Sequence, residues 1–220
     1  MIAKNLINDT VPPLRSTDDG NKALTWMSEF HLQHLPVVDG QLYKGIISEY
    51  DILDKNASKQ ALEAYDFNFS RPFVTERDHI YEVIKKINQH RLSLIPVLNV
   101  EEEYQGVITV EGLLDHFAKT NAMQDPGGII TLKMAVSDYV LSEIARIVES
   151  HNARILSLYV TTPSNSTQME VTLKINKTDL AKVISTLERY DYEVDAAYQE
   201  TEYLEDMQDR YDSFMHYLNI

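Results

Sequence analysis

The chain of 220 residues contains no cysteine. Disulfides, thiolate metal centres and cysteine nucleophiles are thereby excluded, and any metal is left to histidine and carboxylates. Long apolar runs are also missing: none approaches the roughly 20 residues needed to cross a bilayer. The opening MIAKNLINDTVPPL has neither an apolar core nor a small-residue cleavage site, so no secretory leader is expected and a cytoplasmic protein is the plain reading. Basic residues are scarce, with 20 Lys and Arg against 34 Asp and Glu and a formal charge of −14. That balance argues against nucleic acid or an anionic membrane as the main partner. There is no GxGxxG, no P-loop and no nucleophile–base pair at a recognisable spacing, so no enzyme activity is expected.

What remains is a chain with 44% hydrophobic and 25% charged residues, a composition that supports real cores and, at this length, two domains of ordinary size. Its acid is unevenly spread. Residues 1–127 carry a net −7, residues 128–190 a net +1, and residues 191–220 a net −8 with nine acids against Arg210.

The first half repeats itself. HLPVVDGQLYKGIISEYDIL begins at position 34, and SLIPVLNVEEEYQGVITVEGLL follows sixty residues later. Each copy opens with a helical pattern: Leu24, Met27, Phe30 and Leu32 in the first, with Thr17 or Asp18 as N-cap, and Ile80, Val83, Ile84 and Ile87 in the second, preceded by Thr75 and Asp78. Two short strands joined by a turn come next, then a second helix opened by SEYDIL or TVEGLLDHF. A unit of this size cannot bury both faces of its small sheet alone, so the copies are expected to pack as one pseudo-symmetric body.

This tandem resembles a pair of CBS domains, the regulatory modules named after cystathionine beta-synthase, over about residues 1–122, with repeats at 1–60 and 61–122. The resemblance implies a pair with clefts that bind adenosine-containing ligands such as AMP, ADP, ATP or S-adenosylmethionine. It assigns phosphate contact to Ser48 and ribose contact to Asp51, and in the second copy only the hydroxyl role, to Thr109, because Gly112 stands where the acid would be. Independently, a hydroxyl at a helix start lies beside unpaired N–H groups, and a carboxylate three residues on lies one turn along the same face. The plainer alternative is that Ser48 caps a helix and Asp51 is a first-turn acid. His34 and His90 are candidate cleft-mouth residues, and Arg15, Lys44 and Arg91 candidate phosphate contacts. His31 and His34 could form half a metal site, but no further ligands accompany them.

TNAMQDPGG reads as a linker ending at residue 128. Beyond it the periods run strand, helix, strand, strand, helix, strand over about 129–199, the split βαβ or ferredoxin-like order. Val140, Ile144, Ile147 and Val148 mark the first helix. Leu180, Val183, Ile184 and Leu187 mark the second, with Thr178 as its N-cap. The segment resembles an ACT domain, which implies a regulatory module that often binds amino acids. The glycine usual at the first strand–helix turn of amino-acid-binding members is absent from AVSDYVLSE, so no ligand residues are assigned and association through sheet edges or faces is expected. Finally, Leu204, Met207, Tyr211, Phe214 and Leu218 form an apolar stripe on an acidic helix expected over 200–220.

The fold expected is therefore α+β: a tandem CBS-type pair, a ferredoxin-like domain and a C-terminal helix. The function expected is that of a homodimeric ligand sensor that acts on an unidentified effector protein by shifting conformation.

Overall fold

The computed structural model describes residues 1–56, 59–64, 70–164 and 166–199. The helix expected over 200–220 lies outside these residues. The fold is α+β and divides into two compact units, Met1–Ala118 and Lys119–Ile220. Among the described residues no helix is long and apolar enough to cross a membrane.

In the first unit each copy is a helix, a hairpin and a second helix. The first copy has α1 (Gly20–Glu29), β1 (His34–Asp39), β2 (Leu42–Ser48) and α2 (Glu49–Asp54). The second has a two-residue strand β3 (Val74–Thr75), then α3 (Ile80–His90), β4 (Leu94–Leu98), β5 (Tyr104–Thr109) and α4 (Val110–Ala118). β3 runs parallel to β4, and Leu14 bridges Val37 of β1 in the same sense. Both hairpins are antiparallel and slip register at matching points, Val37/Val38 and Val97/Leu98. Each slip is a bulge beside a glycine at positive φ, Gly45 (151°) and Gly106 (141°), where a side chain would be strained.

One core spans both copies, with Leu35, Ile47, Leu94, Ile95 and Ile108 wholly buried in it. Burying each such side chain contributes about 1.5–3 kcal/mol. The copies also exchange their lead-in segments. Ala3 and Lys4 donate to the Asp78 and Glu76 carbonyls ahead of α3, and Asn8 pairs with Val107 of β5. Reciprocally, Leu62 and Glu63 donate to the Asp18 and Ser16 carbonyls ahead of α1, and Ser70 pairs with Ile46 of β2. The residues that precede each copy thus finish the other.

The helix caps differ from those expected. Asp19, not Thr17 or Asp18, caps α1 by accepting from the Lys22 N–H at 2.8 Å. Asp18 instead takes the Arg15 N–H and the Lys22 ammonium. His79 caps α3, while Thr75 and Asp78 bond to each other just upstream.

The second unit has a one-turn helix α5 (Asn121–Gln124), then β6 (Gly128–Ala135), α6 (Leu141–Ser150), β7 (Ile155–Thr161), β8 (Gln168–Ile175), α7 (Ala181–Arg189) and β9 (Glu193–Gln199). The sheet order is β7-β8-β6-β9, with every neighbouring pair antiparallel. This is the βαββαβ arrangement. Ile130, Leu132 and Met134 of β6 alternate inward with Val171 and Leu173 of β8, and Ile144, Ile147, Val183 and Leu187 of the two helices share their core. The linker expected up to residue 128 is shorter than its sequence suggests, since α5 interrupts it and Gly128 already belongs to β6. Val140 lies exposed at the N-cap of α6 rather than on its apolar face. Thr178 does not cap α7, which starts after Leu180, and the Asp179 carboxylate takes the Ala181 N–H instead.

Candidate functional site

Ser48 ends β2 and caps α2. Its N–H donates to Asp51 Oδ2 at 2.9 Å, its hydroxyl donates to the same oxygen at 2.6 Å, and its Oγ accepts from the Asp51 N–H at 3.1 Å. The pair is a complete capping box, in which each residue satisfies the other's backbone donor. Both are half-buried. The plainer alternative is therefore realised as structure, whatever else the pair does.

His34 stands directly across the hairpin from Ser48. Its Nδ1 accepts from the Ser93 N–H at 3.2 Å and lies 3.1 Å from the Ser93 hydroxyl, which also takes the Gln33 N–H. A backbone N–H can only donate, so Nδ1 is unprotonated and the neutral ring carries its proton on Nε2. Burial lowers the His34 pKa below its ordinary value, while the nearby Asp51 charge pulls the other way. His34, Ser48 and Asp51 thus form one cluster, and Ser93 ties it to the second copy.

The matching place in the second copy is different. Thr109 is 7% exposed and its Oγ1 accepts from the Gly112 N–H at 3.0 Å. Leu94, fully buried, faces Thr109 where His34 faces Ser48. Acid and imidazole are replaced together by glycine and an aliphatic side chain.

The cationic candidates do not join this cluster. Arg15 is exposed in the first copy's lead-in, with its N–H on Asp18. Lys44 lies 3.9 Å from Asp39, a carboxylate held low chiefly by the Ser16 N–H. Arg91 is exposed at the left-handed end of α3, two residues before Ser93. Among the described residues no hydrogen bond or ion pair joins the Arg15 or Arg91 side chain to Ser48, Asp51 or His34. His90 is exposed at the last turn of α3. His31, at φ 54°, lines an open groove of about 380 Å³ with Leu24, Met27, Ser28, Leu32, Gln33 and Glu49, apart from His34. Among the described residues no cluster of three His, Asp or Glu could hold a metal.

Sequence reasoning missed Ser93 and Gln33. The visible signal was a polar residue placed identically before each buried strand, at the two positions that meet between the copies.

Comparisons with known proteins agree with the repeat. The model of the CBS domain matches residues 3–58 and again 66–119. A homoserine O-acetyltransferase of Methanosphaera stadtmanae is 29% identical over 118 residues, which cover 53% of this chain but only 24% of that enzyme. Among solved structures, a CBS domain pair/ACT domain protein from Thermotoga maritima is 18% identical, with a TM-score of 0.47, over 54% of this chain and 98% of its own. CBSX2 in complex with AMP is 14% identical with a TM-score of 0.47, over 54% of this chain and 96% of its own. The CBS domain of a bacterial CNNM/CorC family Mg2+ transporter in complex with ATP is 12% identical with a TM-score of 0.44, over 54% and 87%.

Proposed function

The chain belongs to the CBS-domain family, and from that premise we propose that it is a non-catalytic regulatory protein that binds one adenosyl ligand per chain. The observation that carries this reading is the difference between its two copies. Ser48, Asp51 and His34 converge in the first, whereas Thr109, Gly112 and Leu94 leave the second without an acid or an imidazole. Asp51 accepts from the ribose hydroxyls, and Ser48 turns its hydroxyl from Asp51 to a phosphate when one is present. Arg15 and Arg91 supply exposed cations to phosphorylated ligands, and Thr109 serves only its own helix.

AMP, ADP, ATP and S-adenosylmethionine share the adenosine that Asp51 would read. The output is a population shift: ligand that bridges the copies through the His34–Ser93 contact favours one mutual angle, and an effector protein responds in proportion to its differential affinity. The second unit acts as an ACT-type relay. The working state is a cytoplasmic homodimer, supported by Tyr50 and Leu53 on α2 and Val110 and Leu114 on α4, all exposed apolar side chains. Light scattering at micromolar concentration should give twice the chain mass.

Calorimetric titration against the four ligands tests the reading. One of them should bind with one site per chain, and at 100 times its Kd it should add roughly 2.7 kcal/mol of stability. Two equal sites would refute the assignment. A second reading, a ligand-free scaffold, is favoured by the closed Ser48–Asp51 box, and it is established if none of the four ligands shifts the melting temperature.

A further inference from the structure

The cluster around Ser48 holds an acid and no positive charge of its own. Asp51 Oδ2 takes both the Ser48 N–H and the Ser48 hydroxyl, and the charge felt at His34 is that of Asp51. His34 adds no positive charge at neutral pH, because its Nδ1 is committed as an acceptor to the Ser93 N–H. The helix that carries the acid is itself acidic: Glu49, Asp51 and Asp54 stand against Lys55 at its C-cap.

Positive charge in the first unit is largely engaged elsewhere. Lys4, Lys22, Lys44, Lys85 and Lys86 pair with Glu76, Asp18, Asp39, Glu82 and Asp78. Arg71 donates to the Tyr43 carbonyl. Residues 57–58 and 65–69, outside the described ones, read AS and YDFNF and contain no Lys or Arg. Residues 1–127 together carry a net −7.

A phosphate chain needs the opposite surroundings. Sites that hold one supply Arg, Lys or backbone N–H groups aimed at the oxygens. Here the Ser48 N–H is already taken by Asp51.

We propose that this site selects adenosyl ligands by charge, taking one whose 5′ substituent is neutral or positive, such as the sulfonium of S-adenosylmethionine, and discriminating against each added phosphate. This selectivity presupposes the adenosyl site proposed above for Ser48 and Asp51. A carboxylate that holds the ribose hydroxyls lies about 7 Å from the 5′ substituent. At that distance a unit charge changes affinity about 3- to 50-fold for effective dielectric constants from about 80 down to about 20. Sulfonium and phosphate therefore move affinity in opposite directions. Arg15 and Arg91, both exposed, reduce the penalty for a nucleotide without reversing it, since salt screens such charges.

Calorimetric titration of the full chain at about pH 7.5, where His34 is neutral, tests this with S-adenosylmethionine, S-adenosylhomocysteine, AMP and ATP, without divalent cations. The first two differ by one methyl group and the sulfonium charge, so their ratio reads the field at the 5′ position. S-adenosylmethionine should bind at least about threefold more tightly than S-adenosylhomocysteine, and ATP at least about fivefold more weakly than AMP. The first ratio should shrink between about 0.02 M and 0.5 M salt. It should also approach one in Asp51→Asn, which keeps a capping side chain but removes the charge. ATP as the tightest ligand, or equal affinity for the two sulfur compounds in the unaltered chain, overturns the proposal and leaves the adenosyl site standing. Binding by none of the four removes the site and the proposal together.

Discussion

His34 accepts a hydrogen bond at Nδ1 from the backbone N–H of Ser93, 59 positions further along the chain. Protonating that nitrogen would set two donors against each other. The folded state therefore requires neutral His34, in keeping with its lowered pKa. The sign follows directly. Below the ordinary value of 6.5 the unfolded chain takes up a proton that the folded chain resists, so stability falls as pH drops from about 7 to 5. Losing the bond costs about 1 kcal/mol, or about 2–4 °C in Tm. His34→Asn keeps an acceptor without a titrating ring and should flatten this interval. Asp18 and Asp39 are held below the usual carboxylate range and lose their contributions only at more acidic pH.

Asp51→Ala removes a charged acceptor worth about 1.5–3 kcal/mol, so titration calorimetry should show adenosyl affinity reduced roughly 10- to 100-fold. Ser48→Ala should cost less, and mainly with phosphorylated ligands. Unchanged affinity in Asp51→Ala would mean that the acid serves the helix start alone.

Gly112→Asp is the converse change. Gly112 lies inside α4, and a Cβ there meets only Thr109 Oγ1 at 3.2 Å, which must give by a few tenths of an ångström. Replacing a helical glycine and adding a first-turn acid should raise stability by about 0.5–1 kcal/mol. The stoichiometry should remain one, since Leu94 still occupies the place of His34.

Gly106→Ala should destabilise by about 1–3 kcal/mol in urea titrations. A Cβ there comes within 2.6 Å of Ile7 Cγ2, and the backbone sits at φ +141°. Ile7→Ala removes the contact but not the strained backbone, so the double variant should recover less than half the loss.

Gly127→Ala places a Cβ 2.1 Å from the Ile175 carbonyl oxygen. The obstacle is backbone and cannot swing away, unlike the Leu180 side chain beside Gly128. Calorimetry should show the transition of the second unit lowered or lost while that of the first is unchanged.

The repeat was legible because Pro36 and Pro96, Gly45 and Gly106, and Ser48 and Thr109 fall at matching places in two hairpins that differ mainly in their turns. Apolar spacing also revealed the βαββαβ order, which strand pairing then reproduces. Caps were less legible. SxDD and TxxDH each offer several acceptors, and backbone geometry alone selects Asp19 and His79 over Thr17, Asp18, Thr75 and Asp78. Val140 fits a helical period but precedes the first turn, a boundary that periodicity does not resolve. The His34–Ser93 bond and the exchanged lead-ins depend on residues that become neighbours only once both copies have folded. No local pattern encodes them.

Synthesis order gives the exchange a further meaning. Residues 1–8 are made about 100 residues before β5, whose Val107 receives Asn8. At about 5–20 residues per second, that is a wait of roughly 5–20 s. The first copy meets its lead-in sooner, since Leu62 and Ser70 follow α2 closely. Translation thus favours completion of the first copy before the second, and leaves Ala3 and Ile7 to seek other apolar surface in the interval. A chaperone that shields short apolar segments near the ribosome would find its target there, and a slower ribosome would lengthen the exposure.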